Sequence, residues 1–149
     1  MADTFYVNFS ASATPIEEME ATDTSQKARV VHSSIDKTIG GGKEITAGTT
    51  STDVGQKEYP TTTSDAHMNT ISGATLTNID FMMVKIKESV DSDGDCDAII
   101  TIGSQVVSKL VKVGDVVLLR PSGENGSNIK IKSTAGKLSK VDILWSKEV

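Results

Sequence analysis

The amino-acid sequence predicts an all-β protein: an antiparallel β-sandwich, jelly-roll-like or Greek key, with long Thr/Ser/Gly-rich loops and at most one short helix. Two observations predict this class. From Ile71 to Trp145, apolar and polar residues alternate in short runs rich in β-branched side chains, which is the pattern of half-buried strands. Turn-forming residues interrupt these runs roughly every 8–12 residues, as they do in sandwiches and barrels.

The length and composition of the chain bound its organisation. A chain of 149 residues fits one domain, which buries roughly 68–70% of its unfolded surface. We therefore expect residues 1–149 to form one sandwich domain, with residues 1 to about 12 as a candidate N-terminal arm. Cys96 is the single cysteine, so no internal disulfide can form and a reducing cytoplasm is compatible with the chain.

The charge distribution and hydropathy exclude two classes of partner. The net charge is −5, and residues 109–149 carry 8 basic against 4 acidic side chains, which leaves 7 basic and 16 acidic before them. The C-terminal basic residues stand mostly singly on predicted strands without interleaved aromatics, so we expect no nucleic acid partner. No leader pattern opens the sequence and no apolar run approaches the roughly 18 residues of a membrane span, so we expect no membrane partner.

The N-terminal segment predicts a strand over Phe5–Phe9, with Phe5, Val7 and Phe9 on one face and Tyr6 on the other. Such a strand either packs in the core or acts as an arm that pairs with a neighbouring subunit. Three of the six aromatic residues of the chain lie here. Phe5, Tyr6 and Phe9 are therefore interface candidates.

Residues 14 to 43 contain three local signals. Thr14-Pro15-Ile16-Glu17 matches a capping box, which predicts one or two helical turns to about Ala21. The segment 27–35 predicts a strand in which His32 is half-buried rather than catalytic. The run 40–43 lacks the spacing of a phosphate-binding loop, so it predicts a flexible turn.

The middle of the chain, Thr46 to Asn69, is rich in Thr, Ser, Gly and Asp. This composition favours either a long surface loop or polar edge strands. Tyr59 lies within it and is a further interface candidate. We expect outward-facing structure here, because connecting segments run over the protein surface.

The core is predicted from the alternating runs that follow. Met82, Val84 and Ile86 share one face of a strand and should be buried. A second strand is expected over 98–107, with a bulge or tight turn at Gly103-Ser104. The last two strands are expected at 128–132 and 141–145. Their inward-facing residues are Ile129, Ile131, Val141, Ile143 and Trp145.

The stretch Leu110 to Gly123 predicts a hairpin, with a type II′ turn at Gly114-Asp115. Pro121 should end the second strand. Because Val116 to Leu119 is apolar at every position, this second strand is expected to be a core strand that is covered on both faces, either between two sheets or at a subunit contact.

Four carboxylates at alternate positions, Asp91, Asp93, Asp95 and Asp97, form the one metal candidate. Oxygen ligands so spaced could hold Ca²⁺, but the positions that an EF-hand gives to Gly and Glu are occupied by Cys96 and Ile102. A solvated acidic loop is the alternative. No nucleophile elbow, no placed Cys/His pair and no carboxylate pair among aromatics is present, so neither an enzyme nor a cofactor is expected.

From Leu76 to Trp145 the order of features resembles a group of small structural proteins of tailed-bacteriophage virions. The shared features are a strand leading into a Lys-x-Gly-Asp turn and a closing Ile-Lys-Ile-Lys-Ser strand. In this sequence they lie at Lys112-Val113-Gly114-Asp115 and at Ile129-Lys130-Ile131-Lys132-Ser133, after the segments 79–86 and 99–102.

The resemblance implies a β-sandwich and a non-enzymatic capsid decoration or cement protein on the outer surface of an assembled phage head. Its implied partners are the major capsid protein and further copies of itself, with a trimer expected because decoration proteins often sit on threefold positions. The implied location is the virion, assembled in the host bacterial cytoplasm. A tail or head-to-tail connector component is an alternative in the same class, and a carbohydrate-binding β-sandwich module is an alternative in a different one.

Overall fold

The computed structural model describes residues 3–19, 28–31, 33–34, 40–50 and 52–147. His32 lies outside the described residues, and so does part of the predicted strand 27–35. Ala21, the expected end of the predicted helix, also lies outside them. Twelve strands and one short helix are bounded in the part of the chain so described. They are β1 (Phe5–Ala11), β2 (Ile16–Met19), β3 (Ala28–Val31), β4 (Gly41–Gly48), β5 (Val54–Pro60), β6 (Ala66–His67), α1 (Met68–Ser72), β7 (Ile79–Ser89), β8 (Ala98–Ile102), β9 (Gln105–Leu110), β10 (Val116–Leu119), β11 (Ile129–Lys132) and β12 (Ser139–Lys147).

Eight strands form two four-stranded antiparallel sheets. The order in the first, here the long sheet, is β10-β7-β12-β5, and the order in the second, the short sheet, is β6-β11-β8-β9. From β5 to β12 the chain changes sheet at every connection except the β8–β9 hairpin. This is the strand order of a jelly roll, in which two Greek keys wind around one core. The predicted fold class is confirmed.

The chain divides into two compact units. One comprises Met1–Val7 with Ile45–Val149 and holds both four-stranded sheets, and the other comprises Asn8–Glu44. The second unit contains the antiparallel pair β2 and β3. β1 pairs with β4, and the boundary between the units crosses both strands. The separate unit is thus longer than the predicted arm of residues 1 to about 12.

The main core lies between the long and the short sheet. β7 and β12, the two central strands of the long sheet, bury alternate residues as their sequence period requires. Met82, Val84 and Ile86 are fully buried, whereas Met83, Lys85 and Lys87 on the other face are exposed. The predicted inward residues of the last two strands are also buried: Ile129, Ile131, Val141, Ile143 and Trp145.

The predicted helix at Thr14 is wrong, because Ile16–Met19 is a strand paired with β3. A helix this short is marginal unless an apolar stripe packs against something. Pro15 lies immediately before the strand, where its missing N–H removes no ladder hydrogen bond.

The predicted flexible turn at 40–43 is also wrong, because β4 begins at Gly41. Gly42 allows a close approach of β4 to β1. A Cβ atom on Gly42 would lie 2.8 Å from the carbonyl oxygen of Phe9, so only glycine fits there without a shift.

The hairpin predicted over Leu110–Gly123 is wrong in its pairing. Residues 112–115 do form a turn, with Gly114 at φ +91° and the amide of Asp115 donating to the carbonyl of Lys112 at 3.0 Å. However, β9 before the turn pairs with β8, and β10 after it pairs with β7. The turn therefore connects the two sheets.

The sheet-to-sheet coverage predicted for both faces of Val116–Leu119 is found on one face only, and β10 is an edge strand. Val117 and Leu119 pack against the main core, while Val116 on the other face is 51% exposed. The predicted turn at Gly103-Ser104 is correct and closes the β8–β9 hairpin.

Candidate interaction surfaces

A network of buried hydroxyl groups joins the two sheets at one end of the sandwich. Thr61 donates to the carbonyl of Ser139 at 2.9 Å and lies 2.5 Å from the hydroxyl of Ser133. Ser133 and Ser139 each donate to the carbonyl of Asp97, at 2.5 and 2.9 Å. These hydroxyls are buried and directed at carbonyl oxygens, so they hold strands together and do not present a nucleophile to solvent.

The four aspartates of the acidic loop are not brought together as a ligand set. Asp97 is buried, and its carboxylate accepts bonds from the amide and hydroxyl of Thr134 at 2.8 and 2.6 Å. Asp91 accepts a bond from the amide of Leu138 at 2.5 Å. Asp93 accepts one from the amide of Asp95 at 3.1 Å. Among the described residues, no group of three or more His, Cys, Asp or Glu side chains is arranged to hold a metal ion.

Asp53 anchors the end of β12 to the β4–β5 connection. One carboxylate oxygen accepts the amides of Thr49 and Thr50 at 3.1 and 2.9 Å, and the other lies 2.9 Å from the ammonium of Lys147. The hydrogen bond from Lys147, followed by those from Thr50, lowers the pKa of Asp53 to about 2. This carboxylate is therefore ionised at neutral pH. Because both of its oxygens are bonded within the chain, its role is structural.

A ladder of ion pairs crosses β5, β12 and β7 of the long sheet. Lys140 lies 3.6 Å from Glu58 and also pairs with Glu88, while Lys87 pairs with Glu58. The Lys87 ammonium lowers the pKa of Glu58, and Glu88 raises the pKa of Lys140. All four side chains are solvent-accessible, so the ladder is worth little to folding stability.

The interface candidates from the sequence fall into two environments. Tyr6 is exposed on β1, with Phe5 and Phe9 half-buried on the opposite face. Tyr59 lies on the edge strand β5 and packs against the main core. The structure therefore does not bring Tyr59 together with the N-terminal aromatics as one described cluster, and Tyr59 supports the sandwich directly.

The side chains that the structure describes in the unit Asn8–Glu44 are exposed or half-buried, and none of them is buried. Ile16 and Val31 face each other across the β2–β3 ribbon and are 50% and 56% exposed. A two-stranded ribbon that buries so little is marginally stable in water by itself.

A second set of exposed apolar side chains lies on segment 106–116, which runs from β9, an edge strand of the short sheet, to the first residue of β10, an edge strand of the long sheet. Its five valines are exposed, with Val106 at 64%. The surface continues across the long sheet as an apolar row in which Leu118, Met83 and Leu144 are cross-strand neighbours. The exposed valines are Val106, Val107, Val111, Val113 and Val116.

The sequence does not predict the hydroxyl network or the exposure of the valines on segment 106–116. The valines look like core residues in the sequence, because a continuous apolar run indicates burial on both faces. Thr61, Ser133 and Ser139 look like loop residues, and Thr61 lies 72 and 78 positions before the two serines. No local signal distinguishes them from other hydroxyl residues of the Thr-rich segments.

No protein-family model, curated protein or solved structure matches this chain. No helix in the part of the chain that the structure describes is long and apolar enough to span a membrane.

Proposed function

We propose that this chain is a non-enzymatic structural protein of a phage virion, most specifically a capsid decoration or cement protein. Its binding site would be the outer surface of an assembled head, its partners the major capsid protein and further copies of itself. Assembly onto the head would take place in the host bacterial cytoplasm. The choice of the head over a tail or head-to-tail connector rests on the sequence resemblance over Leu76–Trp145.

The observation that carries the proposal is the exposure of the unit Asn8–Glu44. None of its described side chains is buried, and exposed apolar side chains such as Ile16 and Val31 gain stability when a second surface covers them. In an assembly, neighbouring molecules provide that surface, because many copies are held close together.

The jelly-roll topology supports a structural virion protein but does not by itself identify one. Jelly rolls occur in viral capsid proteins, lectin domains and cupins, and a fold by itself does not define a function. The described chain offers no cluster of metal-ligating residues of the cupin kind. The buried side chains of its main core are apolar, and the buried hydroxyls of Thr61, Ser133 and Ser139 are bonded within the network described above.

A carbohydrate-binding module is favoured less, because of where the aromatic side chains lie. Such modules stack sugars on two or three aromatic side chains of one flat surface. Here Phe81 and Trp145 are buried, and Tyr59 packs against the core. Tyr6 is exposed, but it has no aromatic neighbour on its own face of β1.

The proposal is tested by co-sedimentation of the purified protein with phage capsids that lack their outer protein. We expect the protein to sediment with expanded capsids and to saturate at a fixed number of copies per particle. Unexpanded capsids of the same phage are the matched control, because they contain the same capsid protein in another arrangement. Sedimentation that never saturates, or that is absent from both particles, would contradict the proposal.

A further inference from the structure

The sequence contains one asparagine that is followed by a glycine, in the pair Asn125-Gly126. In such a pair the glycine has no side chain to hinder attack of its own amide nitrogen on the asparagine side chain. Asn125 is therefore the asparagine of this chain with the most reactive neighbour. The other four asparagines precede an aromatic or β-branched residue: Asn8, Asn69, Asn78 and Asn128.

The reaction that this pair permits is deamidation. The main-chain nitrogen of Gly126 gives up its proton to a base and forms a bond to the side-chain carbonyl carbon, Cγ, of Asn125. The bond from Cγ to the side-chain nitrogen breaks, ammonia leaves with a proton taken from water, and a succinimide ring remains. Water then opens the ring at either carbonyl carbon, which yields aspartate or isoaspartate at residue 125. Water is the only co-reactant.

The fold opposes this reaction, although Asn125 itself is exposed. Gly126 is buried, and its amide donates to the carbonyl of Leu76 at 2.9 Å. The carbonyl of Gly126 accepts from the amide of Asn69 at 3.4 Å. A Cβ atom on Gly126 would lie 2.3 Å from the side-chain oxygen of Asn69 and 3.0 Å from Cβ of Leu76. The attacking nitrogen is thus engaged in a hydrogen bond, and the residue that carries it has little room to rotate.

Main-chain bonds on both sides of this glycine hold segment 124–128 in place. Glu124 exchanges bonds with Ile79, at 2.8 and 3.2 Å. The amide of Asn128 closes a turn on the carbonyl of Asn125 at 2.9 Å. The segment must therefore open before the glycine nitrogen can reach Cγ of Asn125.

We propose that Asn125 is a deamidation site that the fold keeps closed and that reacts only when segment 124–128 opens. The rate in the folded chain is then the rate in an unfolded chain multiplied by the fraction of time for which the segment is open. The inference does not rest on the proposed function.

Either product of the reaction changes the segment. Both place a new carboxylate beside Glu124. Isoaspartate also inserts the side-chain methylene of residue 125 into the main chain, which moves the amide of Gly126 away from the carbonyl of Leu76. Deamidation thereby converts a brief opening of the segment into a lasting one.

The contact that keeps the segment closed can be weakened without changing the reacting pair. The side-chain oxygen of Asn69 accepts the amide of Leu76 at 2.8 Å, and so helps to hold the carbonyl that receives the Gly126 amide. Asn69→Ala removes this acceptor and should let the segment open more often. Thr70→Ala, at an exposed residue of the same helix α1, is the matched control.

The test is peptide mass spectrometry of the full chain after incubation at mildly alkaline pH, in buffer and in urea that unfolds it. The readout is the mass increase at residue 125 that accompanies exchange of the amide for a carboxyl group, with Asn125→Gln as the unreactive reference. We expect the wild type to deamidate at least about tenfold more slowly in buffer than in urea, because only the open fraction reacts.

In buffer, Asn69→Ala should deamidate at least about threefold faster than the wild type and Thr70→Ala at the wild-type rate, while all three chains should react equally in urea. Equal wild-type rates in buffer and urea, or no reaction in urea, would overturn the proposal. A folded Asn69→Ala chain that reacts at the wild-type rate would overturn the assignment of closure to the contacts with Asn69 and Leu76. The wild-type comparison needs no variant, so it decides the proposal even where Asn69→Ala does not fold.

Discussion

At the scale of single residues, two glycines lie where another side chain leaves no room for a Cβ atom. Gly55 faces Trp145 across the β5–β12 pair, and a Cβ there would lie 2.2 Å from the indole ring. Gly48 has φ +139°, and a Cβ there would lie 2.3 Å from a carboxylate oxygen of Asp53. Both glycines thus allow a large or charged neighbour to be buried.

We expect Gly55→Ala to lower the free energy of unfolding by about 1–3 kcal/mol, because the added methyl group overpacks the indole of Trp145. Urea denaturation measures the change. Gly41→Ala is the matched control, since a Cβ on Gly41 meets nothing within 4 Å. Equal stability of the two variants would show that the indole can move aside without cost.

Asp53 should make part of the stability depend on acid pH. Its pKa of about 2 lies below the ordinary value of 3.8, so the folded state favours the ionised form. The resulting stabilisation is present above pH 4 and is lost as the pH falls towards 2. We expect Asp53→Asn to cost roughly 1–2 kcal/mol at pH 7 and almost nothing at pH 2.

Urea denaturation of wild type and variant across this pH range measures the difference. Asp65→Asn, an exposed carboxylate that lies 3.5 Å from Lys132, is the control and should change stability little at either pH. A cost for Asp53→Asn that is the same at both pH values would contradict the assignment to the ionised carboxylate.

At the scale of elements, the two sheets are held by apolar packing along their length and by the hydroxyl network at one end. Thr61 follows β5, Ser139 begins β12, and Ser133 follows β11, so the network contacts both sheets. Buried hydroxyls of this kind add little to the free energy of unfolding when all their hydrogen bonds are made. Removing one hydrogen-bond partner lowers that free energy by much more.

We expect Thr61→Val to destabilise the sandwich by about 1–3 kcal/mol, because it keeps the shape of the side chain but removes the hydroxyl that donates to the carbonyl of Ser139 and accepts from its amide. Chemical denaturation checks this, with exposed Thr62→Val as the neighbouring control. An equally small change in the free energy of unfolding for both variants would show that the network stabilises the fold no more than surface hydroxyls do.

The acidic loop gives a prediction about calcium. The carboxylates of Asp91 and Asp97 are directed at the main chain of residues 134 and 138, so a calcium ion would have to replace those bonds. We expect calcium titration to give no heat, and a chelator to leave the melting temperature unchanged. Saturable heat that is lost in Asp93→Asn would revive the calcium site proposed from the spacing.

At the scale of the whole molecule, the sequence predicts the sandwich class and the buried faces of its long strands. Met82, Val84 and Ile86 alternate with exposed residues, and this local period survives in any all-β topology. It does not predict that the turn at Gly114 joins two sheets, because the pairing of β9 and β10 is decided by strands distant in sequence. For the same reason an apolar run such as Val116–Leu119 does not reveal whether it lies at an edge or in the centre.

The interaction surfaces are predictable only in part. The Phe5–Phe9 strand and the polar edge strand at Tyr59 follow from composition. The exposed ribbon does not, because Thr14-Pro15-Ile16-Glu17 carries a helix-start signal that pairing with β3 overrides. Exposure of an apolar residue is a property of the assembled fold and leaves no local signal in the sequence.

The proposed attachment of this chain to the outside of an assembled capsid can be tested by a cryo-electron microscopy reconstruction of expanded capsids incubated with the protein. We expect added density of jelly-roll size at symmetry-repeated positions on the outer surface, absent from untreated particles. Treated capsids whose outer surface is identical to that of untreated ones, at saturating protein, would contradict it.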